Sequence, residues 1–517
     1  MSREARPGES WVSPQPRSGG LKVAVAYPST YGVGMSNLGY QAVLRAFLER
    51  PGFDARRVFW TGRSLDFPDG GRSLQEFAVI ALSVSYQPDL VHLPRLLETK
   101  GEALVVGGGN ALTINPETCS TYFDLAVLGD CEPVLPLLME SLLESGADRD
   151  AVLSRMQGAA GIYIPSRPCP VARVFFGDLD RVPARPAVIS RETGFGKMYP
   201  LEVSRGCGAG CRFCAAGSVC GPVRFLGMEA FQREAGIGLA FRNLIGLVGT
   251  AVSFHPKLLK MCEFVLSRGG TFSPSSIRAE RVTPELAALL ARAGHKTVSL
   301  APEAGTERLR ASLGKGMTDR DFLSRVDMLA QAGVPNLKLY FMAGLPEEDD
   351  ADARAVVDLI ARVRERMLKV GRGRGKIGHL TASLNPFVPK PQTPFEMVPM
   401  AREGDLKRRL AIIREGAMRL GGVTVRTGSV RGAFLDALLS LGGRDVSAAL
   451  DKLPPHGVSV MRLTKIYPGA EEILFGNERE RYWEFIKTSN VQRPTPNETG
   501  TSNVQGPTSN GKSRENP

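Results

Sequence analysis

The chain has 517 residues, 43% of them hydrophobic and 23% charged, with a formal net charge of +12 and eight cysteines. That balance describes a globular protein with material for about three domains, and it excludes a disulfide-stapled scaffold, for which eight cysteines are too few at this length. No run of about 18 uninterrupted apolar residues occurs and the start MSREARPGESW lacks the apolar stretch of a secretory signal, so a cytoplasmic protein with no membrane partner is expected.

Residues 1–20, rich in Pro, Gly, Ser and Arg, read as a disordered arm. From Leu21 strand-like runs (LKVAVAY, RRVFW, FAVIALSVS, ALVVGGG, DLAVLGD) alternate with helix-like stretches such as LGYQAVLRAFLER and EPVLPLLMESLLES. This alternation predicts an α/β fold with a doubly wound parallel sheet over 21–146, a Rossmann-like domain whose ligand-bearing loops share the carboxyl edge of the strands. Gly107, Gly108 and Gly109 on that edge could admit a flat cofactor or a phosphate, or simply make a tight turn.

Residues 147–198 hold short β-like pieces and many prolines, which suits a connector. A second alternation follows over 199–400, with strands at YPLEVSR, NLIGLVG, GTFSPSS, KTVSLAP, NLKLYFMAG and GHLTASLNP. Six βα units in so short a span predict a partial (β/α)6 barrel with its site at the carboxyl mouth. Residues 401–487 read as a helical extension, and the polar tail 488–517, which repeats TSNVQ, as disordered.

The stretch SRGCGAGCRFCAAG places Cys207, Cys211 and Cys214 in a Cys-x3-Cys-x2-Cys array just after the first barrel strand. In a reducing compartment such clustering means metal binding or catalysis. Three thiolates can hold three corners of a cubane iron-sulfur cluster and leave one iron free for a substrate or cosubstrate. A structural zinc site would want a fourth ligand.

This array, with aromatic Phe213 before its last cysteine, resembles the radical S-adenosylmethionine (SAM) superfamily. The resemblance implies a 4Fe-4S cluster on the three cysteines and SAM chelating the open iron. It further implies cleavage of SAM to methionine and a 5′-deoxyadenosyl radical after electron delivery by a reductant such as flavodoxin or ferredoxin. NLIGLVGTA is similar to the family's second-strand glycine motif, with Gly249 carried over and Val248 where a glycine is common. SSIRAERVTPELAALLARAG resembles the third unit, with Arg278 as a polar SAM contact. APEAGTERLRASLGKG resembles the fourth, with Glu303, and with Lys315 meeting the SAM carboxylate. LKLYFMAGLPEE resembles the fifth, with Gly344 beside the adenine.

A doubly wound domain ahead of such a barrel resembles the superfamily's cobalamin-binding-type branch. The Asp-x-His-x-x-Gly sequence that ligates cobalt there is absent, so either cobalamin binds without a histidine or the domain recognises substrate. The resemblance leaves open cobalamin-assisted methyl transfer, another modification of an unknown substrate, or tRNA-type methylthiotransfer. The last would need an amino-terminal cluster, for which Cys119, Cys131 and Cys169 are poorly spaced. An iron-sulfur electron carrier or a zinc-stabilised RNA-binding module is the rival from another class. ARVRERMLKVGRGRGK at 361–376 could contact RNA phosphates, although a solvated helix end is the plainer reading. No interleaved aromatic residues accompany it.

Overall fold

Runs such as LKVAVAY and VIALS carry no polar alternation, and parallel strands covered on both faces need none. The computed structural model describes residues 6, 8–275, 277–375, 377–453, 460–476 and 478–487; the tail read as disordered lies outside them. After a short β1 (Glu9–Trp11) come β2 (Leu21–Tyr27), β3 (Phe53–Trp60), β4 (Leu65–Asp66), β5 (Val79–Ser83), β6 (Leu104–Gly108), β7 (Leu125–Val127) and β8 (Ile162–Tyr163). β2 to β8 form one sheet in the order β4-β3-β2-β5-β6-β7-β8, parallel in its five inner strands and antiparallel at both edges. The strand order reverses between β2 and β5, the switch point of a doubly wound sheet.

Every residue of β3 and β5 is buried. On one face Val23 and Val25 share a core with Tyr40, Leu44 and Phe47 of the helix Leu38–Glu49. On the other, Ala24, Ala26, Ile80 and Leu82 share a core with Phe434, Leu438 and Trp483 from the far end of the chain.

The connector contributes β9 (Val171–Ala172) and β10 (Val188–Ser190). β10 pairs antiparallel with β1, and the buried Glu9 carboxylate accepts from Arg57 at 2.6 and 3.0 Å. Within the arm read as disordered over 1–20, Glu9–Trp11 therefore form a strand held by long-range contacts. Arg57 is almost wholly buried, and its charge needs Glu9 and Asp69 as counterions.

The second sheet system holds β11 (Met198–Arg205), β12 (Arg224–Phe225), β13 (Leu244–Gly249), β14 (Thr271–Pro274), β15 (Thr297–Glu303), β16 (Asn336–Ala343), β17 (Leu380–Pro386) and β18 (Val423–Thr427). β11, β13 and β14 are parallel neighbours with β12 antiparallel at the edge, and β15 to β18 are a parallel run. The hydrogen-bond ladder breaks between β14 and β15, while a single core of outward-facing residues backs both halves. These strands alternate: Leu337, Leu339 and Phe341 join that core, so Lys338, Tyr340 and Met342 face the barrel interior.

The wall thus has a seventh parallel strand, β18, inside the segment read as a helical extension. VTVRT is short and half exposed, and only pairing with β17 makes it a strand. Beyond it, the helices Val430–Leu441, Arg444–Asp451, Val460–Ile466 and Ala470–Phe475 fold back over the first sheet, and β19 (Ile486–Lys487) pairs with β9.

Candidate active site

β11 delivers the cysteine loop to the barrel mouth, and contacts from distant segments hold it there. The Arg212 N–H donates to the Leu313 carbonyl at 3.0 Å, the Phe395 N–H donates to the Arg212 carbonyl at 3.2 Å, and the Arg212 guanidinium lies 4.8 Å from the Phe395 ring centre. Phe213 packs beside Leu309, Leu313, Leu345, Phe387 and Phe395. Cys211 is buried, and Cys207 and Cys214 are half-buried. Burial raises the Cys214 thiol, and the neighbouring Cys211 and Cys207 push it the same way; the Ala216 and Gly217 amides oppose them. Thiols close enough to repel as thiolates suit a cationic metal centre, and the donor set, three sulfurs on one glycine-rich loop, suits a cubane. Among the described residues no three His, Cys, Asp or Glu side chains converge as one metal ion requires. A cubane spreads its thiolates over separate irons, so the residues present fit that group better than a zinc ion.

Of the residues expected around SAM, Arg278 and Lys315 reach this loop directly. Arg278 donates to the Cys211 sulfur at 3.0 Å and pairs with Glu280. Lys315 donates to Glu303 at 2.8 Å and to the Ala301 carbonyl at 2.6 Å, and its ammonium lies 6.0 Å from the Phe213 ring centre. Glu303 ends β15 in the left-handed region at φ 69°, where the register with β16 shifts. A glutamate held there stores strain of about 1–3 kcal/mol, the kind of cost that gathers at working sites. Gly249 approaches β11 so closely that a Cβ would lie 2.2 Å from the Ser204 hydroxyl. Gly344 immediately precedes Leu345, which packs beside Phe213. At φ 84° Gly344 makes a left-handed turn, its N–H donates to Glu348, and Leu406 and Ala401 fill the space beside it.

Sequence reasoning missed the seam between the two domains. Arg205, the last residue of β11, pairs with Glu132 at 2.9 Å, Asp130 at 3.1 Å and Glu202 at 2.7 Å, while Arg224 also pairs with Asp130. Burial opposes the Arg205 charge, but the three carboxylates outweigh it and raise its pKa. The signal was present in GDCEP, a carboxylate-bearing loop on the first sheet's ligand edge, and in the arginine just before the cysteine loop. Thus the ligand edge of the first sheet is tied to the barrel mouth.

On the first sheet's edge, a Cβ on Gly107 would lie 2.6 Å from Leu112 and one on Gly109 2.4 Å from the Val84 carbonyl, so both are tight-packing glycines; Gly108 has open space. His92, the first domain's one histidine, ends the turn Gln87–His92 and is half-buried. The cysteines of a second cluster are not gathered: Cys119 lies in the core, its thiol raised by burial, whereas Cys169 is exposed. In the basic segment, Arg362 and Arg366 pair with Asp319 and Asp327, and Arg364 donates to the Gly421 and Gly378 carbonyls. These arginines fasten the helix Asp350–Gly373 to its neighbours.

Comparison with known families matches residues 201–360 to the radical SAM superfamily and residues 45–165 to the amino-terminal region of radical SAM proteins. The chain belongs to the radical SAM superfamily. This radical SAM enzyme is 26% identical over 457 residues to an uncharacterized protein of Methanocaldococcus jannaschii, covering 86% of this chain and 94% of the relative. Among solved structures it is similar to the cobalamin-dependent S-adenosylmethionine radical enzyme OxsB with aqua-cobalamin bound. There the TM-score is 0.48 at 14% identity, over 66% of this chain and 52% of that one. It is also similar to coproporphyrinogen III oxidase from Escherichia coli, with a TM-score of 0.31 at 11% identity over 43% and 52% of the two chains. The radical SAM chain spans about half the length of each of these solved enzymes. Membership implies a 4Fe-4S cluster and SAM. Among the described residues no helix is long and apolar enough to cross a membrane.

Proposed function

We propose that this chain opens SAM at its barrel mouth and directs the resulting radical onto a substrate held inside the barrel. One observation carries the reading: Arg278 touches the Cys211 sulfur and the Lys315 of the Glu303/Lys315 pair stands 6.0 Å from the Phe213 ring centre, so groups at the ends of β14 and β15 face the cysteine loop at the end of β11. Cys207, Cys211 and Cys214 would hold a 4Fe-4S cluster, which would supply an electron taken from a reductant for cleavage of SAM to methionine and a 5′-deoxyadenosyl radical. Glu303 and Lys315 offer opposite charges to the amino and carboxylate groups of a zwitterion, and each holds the other until a ligand takes its place. Arg278, resting on the Cys211 sulfur, steadies thiolate charge. Gly249 keeps β13 against β11 so that backbone, not a side chain, faces the cosubstrate. Gly344 shapes the mouth by its turn, since Glu348 engages its N–H.

The substrate's fate, loss of a hydrogen atom or receipt of a methyl or related group, follows from what binds between the domains. For cobalamin the first domain supplies an edge with space at Gly108 but no cobalt ligand in the usual sequence. The seam of Asp130, Glu132, Arg205 and Arg224 ties the first sheet's ligand edge to the mouth from that side.

Anaerobic reconstitution with iron and sulfide, reduction with dithionite and chromatography of 5′-deoxyadenosine test the proposal, with and without cobalamin. Product above a Cys211→Ala control is expected; none from a chain with an intact cluster, whatever substrate extract is added, would overturn it. Cobalamin retained through gel filtration would select the methyl-transfer form.

A further inference from the structure

The inner wall of the barrel is chemically lopsided. Strand register lines up Ser299, Lys338, Thr381 and Thr424 in one row and Tyr340, Ser383 and Arg426 in the next. Alternation sends all of these inward, because Leu337, Leu339, Leu380, Ala382, Val423 and Val425 join the outer core. The other half-wall places Pro200, Gly246 and Ser273 in register, with little to offer a ligand but shape.

Charge on this wall does not balance. Its carboxylates are engaged: Glu202 by Arg205, Glu303 by Lys315. Lys338 and Arg426, by contrast, have no carboxylate within 4 Å among the described residues; the Lys338 ammonium lies 4.5 Å from the Tyr340 ring centre. Two cations on one sheet face lined with hydroxyls suit an anion, since a guanidinium and an ammonium bind carboxylate and phosphate oxygens through charge-assisted hydrogen bonds.

From these rows we infer that the substrate is a small anionic compound whose carboxylate or phosphate sits between Lys338 and Arg426, with further oxygens toward Ser299, Thr381 and Ser383. Counted along β16 at about 3.3 Å per residue, Lys338 lies about 17 Å, and the row that holds Arg426 about 10 Å, below that strand's end at Ala343. The anion is the deep anchor, and the reacting carbon of a molecule of that length stands at the mouth beside the cysteine loop. This assignment rests on the proposed function for the chemistry at the mouth, but anion binding itself needs no cluster.

Thermal-shift titration of the purified full chain, with inorganic phosphate in one arm and succinate in the other at constant ionic strength, separates the two anion sources. A saturable rise in melting temperature in at least one arm is expected, with apparent affinity weakened about tenfold or more by Lys338→Gln with Arg426→Gln and partly restored by Lys338→Arg. Protection of Lys338 from acetylation by the same probes, read by peptide mass spectrometry, needs no variant. Titrations flat in both arms, or equal for wild type and variant, would overturn the assignment. A chain that binds the anion but cleaves no SAM would sink the radical reading and leave this one; cleavage without an anion site does the reverse.

Discussion

Two parallel sheets in this chain are built from the same strand-helix alternation and end up with opposite interiors. In the first, β3 and β5 are buried at every position and both faces are covered, the second by helices from residues 430–475. In the barrel, β16 and β17 alternate buried with half-exposed residues, because one face meets helices and the other a lumen. A sheet packed on both faces can offer a ligand only its edge, whereas a curled one offers a wall. The seam of Arg205, Asp130 and Glu132 brings that edge and that wall to one place.

The sharpest way to break this comparison is at the mouth. Cys211→Ala should lose the cluster's visible absorbance and bring SAM cleavage to background, while far-ultraviolet circular dichroism stays native, because the first sheet owes nothing to the metal. Next comes the seam: Arg205→Met leaves Glu202 and Glu132 without their arginine and Asp130 with Arg224 alone, and should cost about 3–5 kcal/mol in denaturant unfolding. Equal stability of the variant would show that the two domains do not depend on this charge.

Paired substitutions then separate the sheets. Leu438→Ala, fully buried under the first sheet, should cost about 2–5 kcal/mol, whereas Thr381→Ala on the lumen wall should stay within about 0.5 kcal/mol. Chemical unfolding of both variants reads the contrast directly. The smallest effect is a pH dependence. Burial pushes the Glu348 carboxyl up to about 7, with the Gly344 N–H and Arg409 opposing. The folded state therefore holds this proton more tightly than the unfolded one. That contribution to stability is full below the unfolded value of 4.5 and fades as pH rises through about 7. A melting profile over that window should be flatter for Glu348→Gln than for wild type.

Much of the site could be read from local spacing. Cys207, Cys211 and Cys214 lie within eight residues, and Lys315 follows Glu303 by twelve on a strand-helix turn, so short-range geometry already brings each group together. Gly344 shows the limit: its φ of 84° suits the glycine in LKLYFMAGLPEE, but the engagement of its N–H depends on Glu348 and on the helix Glu403–Met418. Glu9, inside an arm of Pro, Gly and Ser, looked unstructured because its partner Arg57 lies 48 residues away.

By itself the sequence determined two alternating sheets and a three-thiolate loop at a barrel mouth, since period, turn residues and cysteine spacing are local quantities. The tertiary structure alone decided that VTVRT is a seventh strand, that the carboxyl-terminal helices cover the first sheet, and that Lys338 and Arg426 look into one lumen. Each of these depends on pairing between segments far apart in the chain, and a residue's neighbours across a ladder or a core leave no mark on its own stretch of sequence.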